Sequence, residues 1–148
     1  MTEEVSTTWD GLPISPEPPF GICVVTYRRQ QEQVEFLILH RAHQGADFEG
    51  EWAWTPPSGA RFPNEPVDSC AQRELWEETG LTLAVQPTER SADSWAIYSA
   101  EASLEDAVVL DAEHDRYAWV SLATAQAECL PVQVGGSLQY VAQLLHLV

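Results

Sequence analysis

Glu65, Arg73, Glu74, Glu77 and Glu78 are spaced so that a short helix and the loop before it could hold a cation. The segment reads Gly59-x5-Glu65-x7-Arg73-Glu74-Leu75-x-Glu77-Glu78-x-Gly80-Leu81. At about 100° per residue, Glu74, Glu77 and Glu78 fall within an arc of roughly 100° on an α-helix. Three carboxylates this close repel one another, and like charges at i,i+4 weaken a helix. A divalent cation relieves that cost, and oxygen-only ligands favour Mg²⁺ or Mn²⁺ over zinc. Such a cation can neutralise phosphoryl oxygens and acidify an attacking water. Gly59, with no side chain, lets loop backbone lie close to a phosphate. Glu77 and Glu78 alone would read as a solvated helix face; their spacing from Gly59, Glu65, Arg73 and Gly80 argues otherwise.

The arc needs a helix, expected over residues 66–79. Proline suits its first turn and Gly80 its stop. Upstream, the β-branched run at 20–27 reads as a strand. A polar turn over 28–33 leads to a second strand at 34–41, hairpin-paired with the first. Residues 36–39 are apolar on both faces, which implies layers above and below. An acidic loop follows at 44–51, and residues 52–56 form a short strand stopped by Pro56 and Pro57. Strands are expected at 81–85 and 95–100, with further ones at 108–110 and 116–120. Ser121 and Ser137 are N-cap candidates for two later helices, the second over 138–147. The fold class is α/β, an α/β/α sandwich around a mixed sheet. Residues 1–19, rich in proline, read as an extended arm or a disordered tail; residues 20–148 read as a single domain.

Composition narrows the function. Apolar residues make up 45% and charged residues 20% of 148, a globular balance. The apolar runs are too short to span a bilayer. No apolar h-region accompanies Glu3 and Glu4, so no secretory signal is expected. Cys23, Cys70 and Cys129 are widely spaced, which suggests reduced thiols in a cytoplasmic protein. Acidic neighbours disfavour a thiolate at Cys70. The net charge is −16 with no lysine, a field that repels duplex nucleic acid. A small anionic nucleotide can arrive with Mg²⁺, which reverses the local sign.

The motif over 59–81 resembles the signature of the Nudix (MutT-like) hydrolases, which cleave nucleoside diphosphates linked to another moiety. The resemblance implies the Nudix fold over residues 20–145. It implies Glu74 and Glu78 as metal ligands, and Glu77 as a third ligand or a partner of Arg73. It further implies that Glu65 supports the loop and touches a metal through water, and that the Ser58 carbonyl completes the coordination. Ser58 departs from the Gly-Gly common in the family at 58 and 59, though a carbonyl is present either way.

Residues outside the motif bear on the substrate. Trp54-Thr-Pro-Pro-Ser-Gly59 resembles the lead-in of diadenosine tetraphosphate hydrolases. Glu113-His114-x-x-Tyr117-x-Trp119-Val120 is similar to a segment of those enzymes and of nucleoside and dihydroneopterin triphosphate pyrophosphatases. By that analogy Glu113 is a fourth carboxylate, a ligand or general base, against a plain reading as a solvated loop acid. His114 reads more readily as an exposed loop imidazole. Arg41 ends a strand aimed at the cleft and suits a diphosphate, although a surface ion pair explains it equally well. One of Trp52, Trp54 and Trp95 is expected on the base, though tryptophans more often fill a core. Trp76, opposite the glutamate face, is expected in core or interface packing.

The expected catalytic set is therefore Glu77, Glu78, Glu113 and Arg73, with Arg41, Trp52, Trp54, Gly59 and Trp95 on the substrate. The expected substrate is a dinucleoside polyphosphate or a (deoxy)nucleoside triphosphate. The alternatives are an ADP-ribose or sugar-nucleotide pyrophosphatase and a non-catalytic nucleotide-sensing module. An isopentenyl-diphosphate isomerase shares the fold but needs a cysteine motif that none of the three cysteines resembles. A homodimer is compatible with all of these readings.

Overall fold

A computed structural model of the chain describes residues 7–8 and 11–147; the expectation resting on Glu3 and Glu4 lies outside them. β1 (Gly21–Gln30) and β2 (Gln33–Arg41) form an antiparallel hairpin from Tyr27↔Phe36 to Gln30↔Gln33. The turn expected over 28–33 shrinks to Gln31 and Glu32. The polar residues continue the ladder instead. Arg28 pairs with Glu35 at 2.9 Å and stacks 4.4 Å from the Trp119 ring, so their polarity is satisfied within the sheet.

Beyond Tyr27↔Phe36 the two strands splay, and residues 54–60 wedge between them. β3 (Trp54–Thr55) pairs with β2, and β4 (Ser58–Ala60) pairs with β1. β5 (Gln86–Pro87) pairs with β6 (Trp95–Ala102), which runs parallel to β1. β7 (His114–Val120) covers the outer edge of β2. The sheet is mixed, as expected.

Alternation along the strands assigns the layers. Ile22, Val24, Leu37 and Leu39 pack on Cys70, Ala71 and Leu75 of α1 (Val67–Thr79). Val25, Phe36 and Ile38 pack the other way, on α2 (Leu122–Glu128) and α3 (Val132–Leu144). Gly80 closes α1 at φ 70°, its N–H donating to the Trp76 carbonyl. Among the described residues no helix is long and apolar enough to cross a membrane.

Several local expectations fail for physical reasons. Residues 81–85 and 108–110 are not strands. Leu81, Leu83, Val85, Val108 and Leu110 do pack on the α1-side core, but alternation reports burial, not a ladder partner. The Leu83 carbonyl accepts from Gln72 Nε2 at 2.7 Å, and Val109 N–H donates to the Thr79 carbonyl. Ser137 is no N-cap: α3 begins at Val132 after Pro131, and the Ser137 hydroxyl donates to the Val134 carbonyl. Gly135 and Gly136 lie inside that helix. Of the two settings expected for Trp76, the core is not the one found: the residue is 59% exposed. Ser121 does cap α2, accepting from Thr124 N–H.

Candidate active site

Glu74 and Glu78 project from α1 toward the wedge between β1 and β2, and both are buried. Their positions are enforced by backbone. The Ser58 N–H donates to Glu78 Oε1 at 2.9 Å. A Cβ on Gly59 would lie 2.1 Å from the Glu74 carboxyl carbon. The glycine expected for phosphate approach is thus already required to seat Glu74.

Arg73 ties the segment together. Its Nε and Nη2 donate to both oxygens of Glu65, at 2.8 and 3.0 Å, and Nη1 donates to Glu74 at 2.8 Å and to Glu77 at 3.2 Å. Nη2 also reaches the Ala60 carbonyl, and the guanidinium stacks 4.1 Å from the Phe62 ring. Glu65 Oε1 additionally accepts from Phe62 N–H, so the carboxylate joins the loop to Arg73. Burial pushes the Glu65 carboxyl up, but Arg73 and the Phe62 N–H outweigh it and hold it below the usual range. Glu77 is half exposed and its contact is with Arg73.

Glu74 and Glu78 differ from Glu65 in what compensates them. Burial lifts Glu74 to about 7, despite Arg73, with Glu77 and Glu113 adding repulsion. Burial, then Glu74, raises Glu78 well above the carboxylate range, with only the Ser58 N–H opposing before Glu113 and Asp111 add to it. Carboxyls that are buried, mutually repelling and under-compensated are what a hard divalent cation would satisfy.

The loop before β7 adds to the cluster. Glu113, His114 and Glu78 each place one ligand-type atom within 4.8 Å of the others, a group found among the described residues. His114 is only 7% exposed, contrary to the exposed imidazole expected. Its Nδ1 bonds Asp111 Oδ1 at 3.0 Å, and burial lowers its pKa. Glu78 and Glu113 converge on one point, with Glu74 buried beside Glu78, and carboxylate oxygens are the donors such a cation needs, so the residues fit it.

Arg41, Ser58, Thr55 and Trp95 line both the acidic cleft and a more apolar pocket beside it. Trp52 and Trp95, 44% and 50% exposed, flank that second pocket. The Arg41 guanidinium lies 6.0 Å from the Trp52 ring. Trp52 holds φ at 68°, a left-handed conformation unusual for a bulky residue. Trp54 is not brought to either pocket. It is buried, its Nε1 donating to Glu49 at 2.8 Å and its ring 5.0 Å from that of His40.

Two contributors were missed in the sequence. Gly21 carries no side chain because a Cβ there would sit 2.5 Å from the Trp95 ring and 2.6 Å from the Gly59 carbonyl. Arg61, 8% exposed, donates to the carbonyls of Glu17, Pro19 and Glu65. It pins the end of the N-terminal segment, and Thr8, Leu12 and Ile14 of that segment line the acidic cleft. A glycine opening a β-branched run was a signal for Gly21; nothing local marked Arg61. All three cysteines are free, and burial lifts Cys70 and Cys129 to about 12.

A mixed sheet with a carboxylate-bearing helix set against its splayed strands defines the Nudix class. The chain belongs to the Nudix family, whose domain matches residues 17–139. No curated protein matches it in sequence. Among solved structures it is similar to the C. elegans Ap4A hydrolase in a binary complex, at 25% identity and TM-score 0.70, covering 85% of this chain and 96% of that one. A Nudix hydrolase from M. smegmatis, RenU, aligns at 20% identity and TM-score 0.68 over 99% and 97% of the two chains. The E. coli dihydroneopterin triphosphate pyrophosphohydrolase aligns at 19% and 0.66 over 85% and 96%. The last two likenesses concern the fold.

Proposed function

We propose that this chain hydrolyses a phosphoanhydride bond of a nucleotide-type substrate, a dinucleoside polyphosphate or a (deoxy)nucleoside triphosphate, using Mg²⁺ or Mn²⁺. The observation that carries the reading is the pair of buried, under-compensated carboxylates, Glu74 and Glu78, facing a cleft that continues into a tryptophan-flanked pocket. Glu74, Glu78 and the Ser58 carbonyl would hold the cation, with Glu113 beside them. When bound, the cation neutralises phosphoryl oxygens and acidifies a water.

The chain's own residues do the rest. Arg41, standing at the junction of the two pockets, pairs with the phosphate charge. Trp52 and Trp95 offer exposed ring faces to a base. Arg73 is a positioning residue, since its donors are spent on Glu65, Glu74 and Glu77. Glu113 takes a proton from the attacking water; the water oxygen bonds to phosphorus, and the bridging P–O bond breaks with its electrons on the leaving phosphate. The likeness to the Ap4A hydrolase, together with the Trp54–Gly59 and Glu113–Trp119 segments, supports a dinucleoside polyphosphate first.

The test is release of phosphate, pyrophosphate or mononucleotide from a nucleotide panel with and without Mg²⁺. Glu78→Gln is expected to lower kcat at least about 10²-fold, and Glu113→Gln about 10²-fold or more. No Mg²⁺-dependent turnover on any diphosphate would sink the hydrolase reading. Full activity in Glu78→Gln would remove the metal assignment.

A further inference from the structure

We propose that His114 supplies a nitrogen ligand, through Nε2, to the cation held beside Glu78 and Glu113. The site is thus a mixed oxygen–nitrogen set instead of an all-oxygen one. The inference rests on the metal-dependent reading above. It departs from the oxygen-only cluster implied by the carboxylate spacing.

Three observations converge. The first is proximity: one ring nitrogen of His114 shares a 4.8 Å neighbourhood with carboxylate oxygens of Glu78 and Glu113. The second is the ring's situation. His114 is more than nine-tenths buried, and Nδ1 is committed to Asp111 Oδ1 at 3.0 Å. A metal-bound histidine characteristically donates its other ring N–H to a carboxylate, which fixes tautomer and orientation. Asp111 is placed to be that acceptor, and the His114 backbone N–H also reaches the Asp111 carbonyl.

The third is how the ring is aimed. β7 pairs with β2 in regular register from Val120 to Arg116, and then the register shifts so that Arg41 faces His114. Asp115 is the extra residue. A bulge of this kind re-aims side chains at the end of a strand. Its carboxylate turns to His40 Nδ1 at 2.8 Å, while His114 lines the cleft with Arg41. One inserted residue thus gives His40 its acid partner and the cleft its imidazole.

An imidazole donor shifts preference from Mg²⁺ toward first-row transition cations, more for Co²⁺ than for Mn²⁺. Mn²⁺ bound to the full chain is the probe, read by pulsed EPR without any substrate. Wild type is expected to show a directly bound ¹⁴N coupling that becomes a ¹⁵N coupling when histidine alone is ¹⁵N-labelled. The coupling should vanish in His114→Gln and survive in His43→Gln, since His43 also lines the cleft. Mn²⁺ affinity should fall about tenfold or more in His114→Gln, and about tenfold in Asp111→Asn. Mg²⁺ affinity should change less than Mn²⁺ affinity in both.

Mn²⁺ that saturates the site with no histidine coupling, or with a coupling that persists in His114→Gln, overturns the ligand assignment and leaves the hydrolase reading intact. Mn²⁺ binding unaffected by Glu78→Gln overturns both. Should His114→Gln not fold, the labelled wild type and His43→Gln decide the matter by themselves.

Discussion

Glu74 occupies the space where residue 59 would carry a side chain, so the glycine and the glutamate are one device. Gly59→Ala would force the Glu74 carboxylate away from a position 2.1 Å from the new Cβ. It is expected to fold normally and to lose about 10²-fold in kcat, the cost of misplacing a reacting group by about an ångström. Mg²⁺ should also half-saturate it at a higher concentration. Wild-type kcat and Mg²⁺ midpoint would show that Glu74 can move without consequence. The spacing revealed that Gly59 and Glu74 belong together. That they touch became visible only once β4 and α1 were set side by side.

At the scale of elements, the two adjacent glycines of α3 should respond with opposite sign. A Cβ on Gly136 meets nothing within 4 Å, whereas one on Gly135 lies 3.1 Å from the Gln126 carbonyl and 3.2 Å from its Cα. Gly136→Ala is expected to stabilise the protein by about 1 kcal/mol through helix propensity. Gly135→Val is expected to destabilise it by at least about 1 kcal/mol by pushing α3 off α2. Urea midpoints read both; a stabilised Gly135→Val would contradict the close contact. Arg61 acts on a third element. Its loss leaves the carbonyls of Glu17, Pro19 and Glu65 without their shared donor. Arg61→Ala should therefore cost about 2–4 kcal/mol and speed proteolysis within residues 11–19. Unchanged proteolysis would mean that other contacts hold the segment.

For the whole molecule, the buried carboxyls make metal-free stability depend on pH. Glu74 sits at about 7 in the folded protein against an ordinary 4.5. Between those values the unfolded chain gives up its proton while the folded one keeps it, so stability falls as pH rises through that window. The loss from Glu74 alone is roughly 3 kcal/mol, and Glu78 adds in the same direction. His114 opposes it, because its lowered pKa costs stability as pH falls below its ordinary 6.5; two raised carboxyls outweigh one imidazole. In EDTA, Tm is expected to be higher at pH 5.5 than at pH 8. Saturating Mg²⁺ should raise Tm most at pH 8, where the carboxylates are ionised and ready to bind it. A metal-free Tm that rises from pH 5.5 to 8 would show the carboxyls to be compensated already.

Short-range periodicity determined the hairpin, the α1 helix with its Gly80 stop, the Ser121 cap and the two apolar faces of β2. Each of these depends on residues a few positions apart, and local sterics and alternation decide them. The carboxylate arc was legible for the same reason. Tertiary structure alone decided which alternating runs found a ladder, since 81–85 and 108–110 bury side chains without a strand to pair with. It also decided which tryptophans reach the cleft. Trp54 turned into the core and Trp52 onto the rim, although the two lie two residues apart. Arg61 and His114 took their surroundings from segments far away in the chain. Burial and mutual repulsion, which set the protonation of Glu74 and Glu78, are sums over such distant neighbours. No spacing along the chain encodes them.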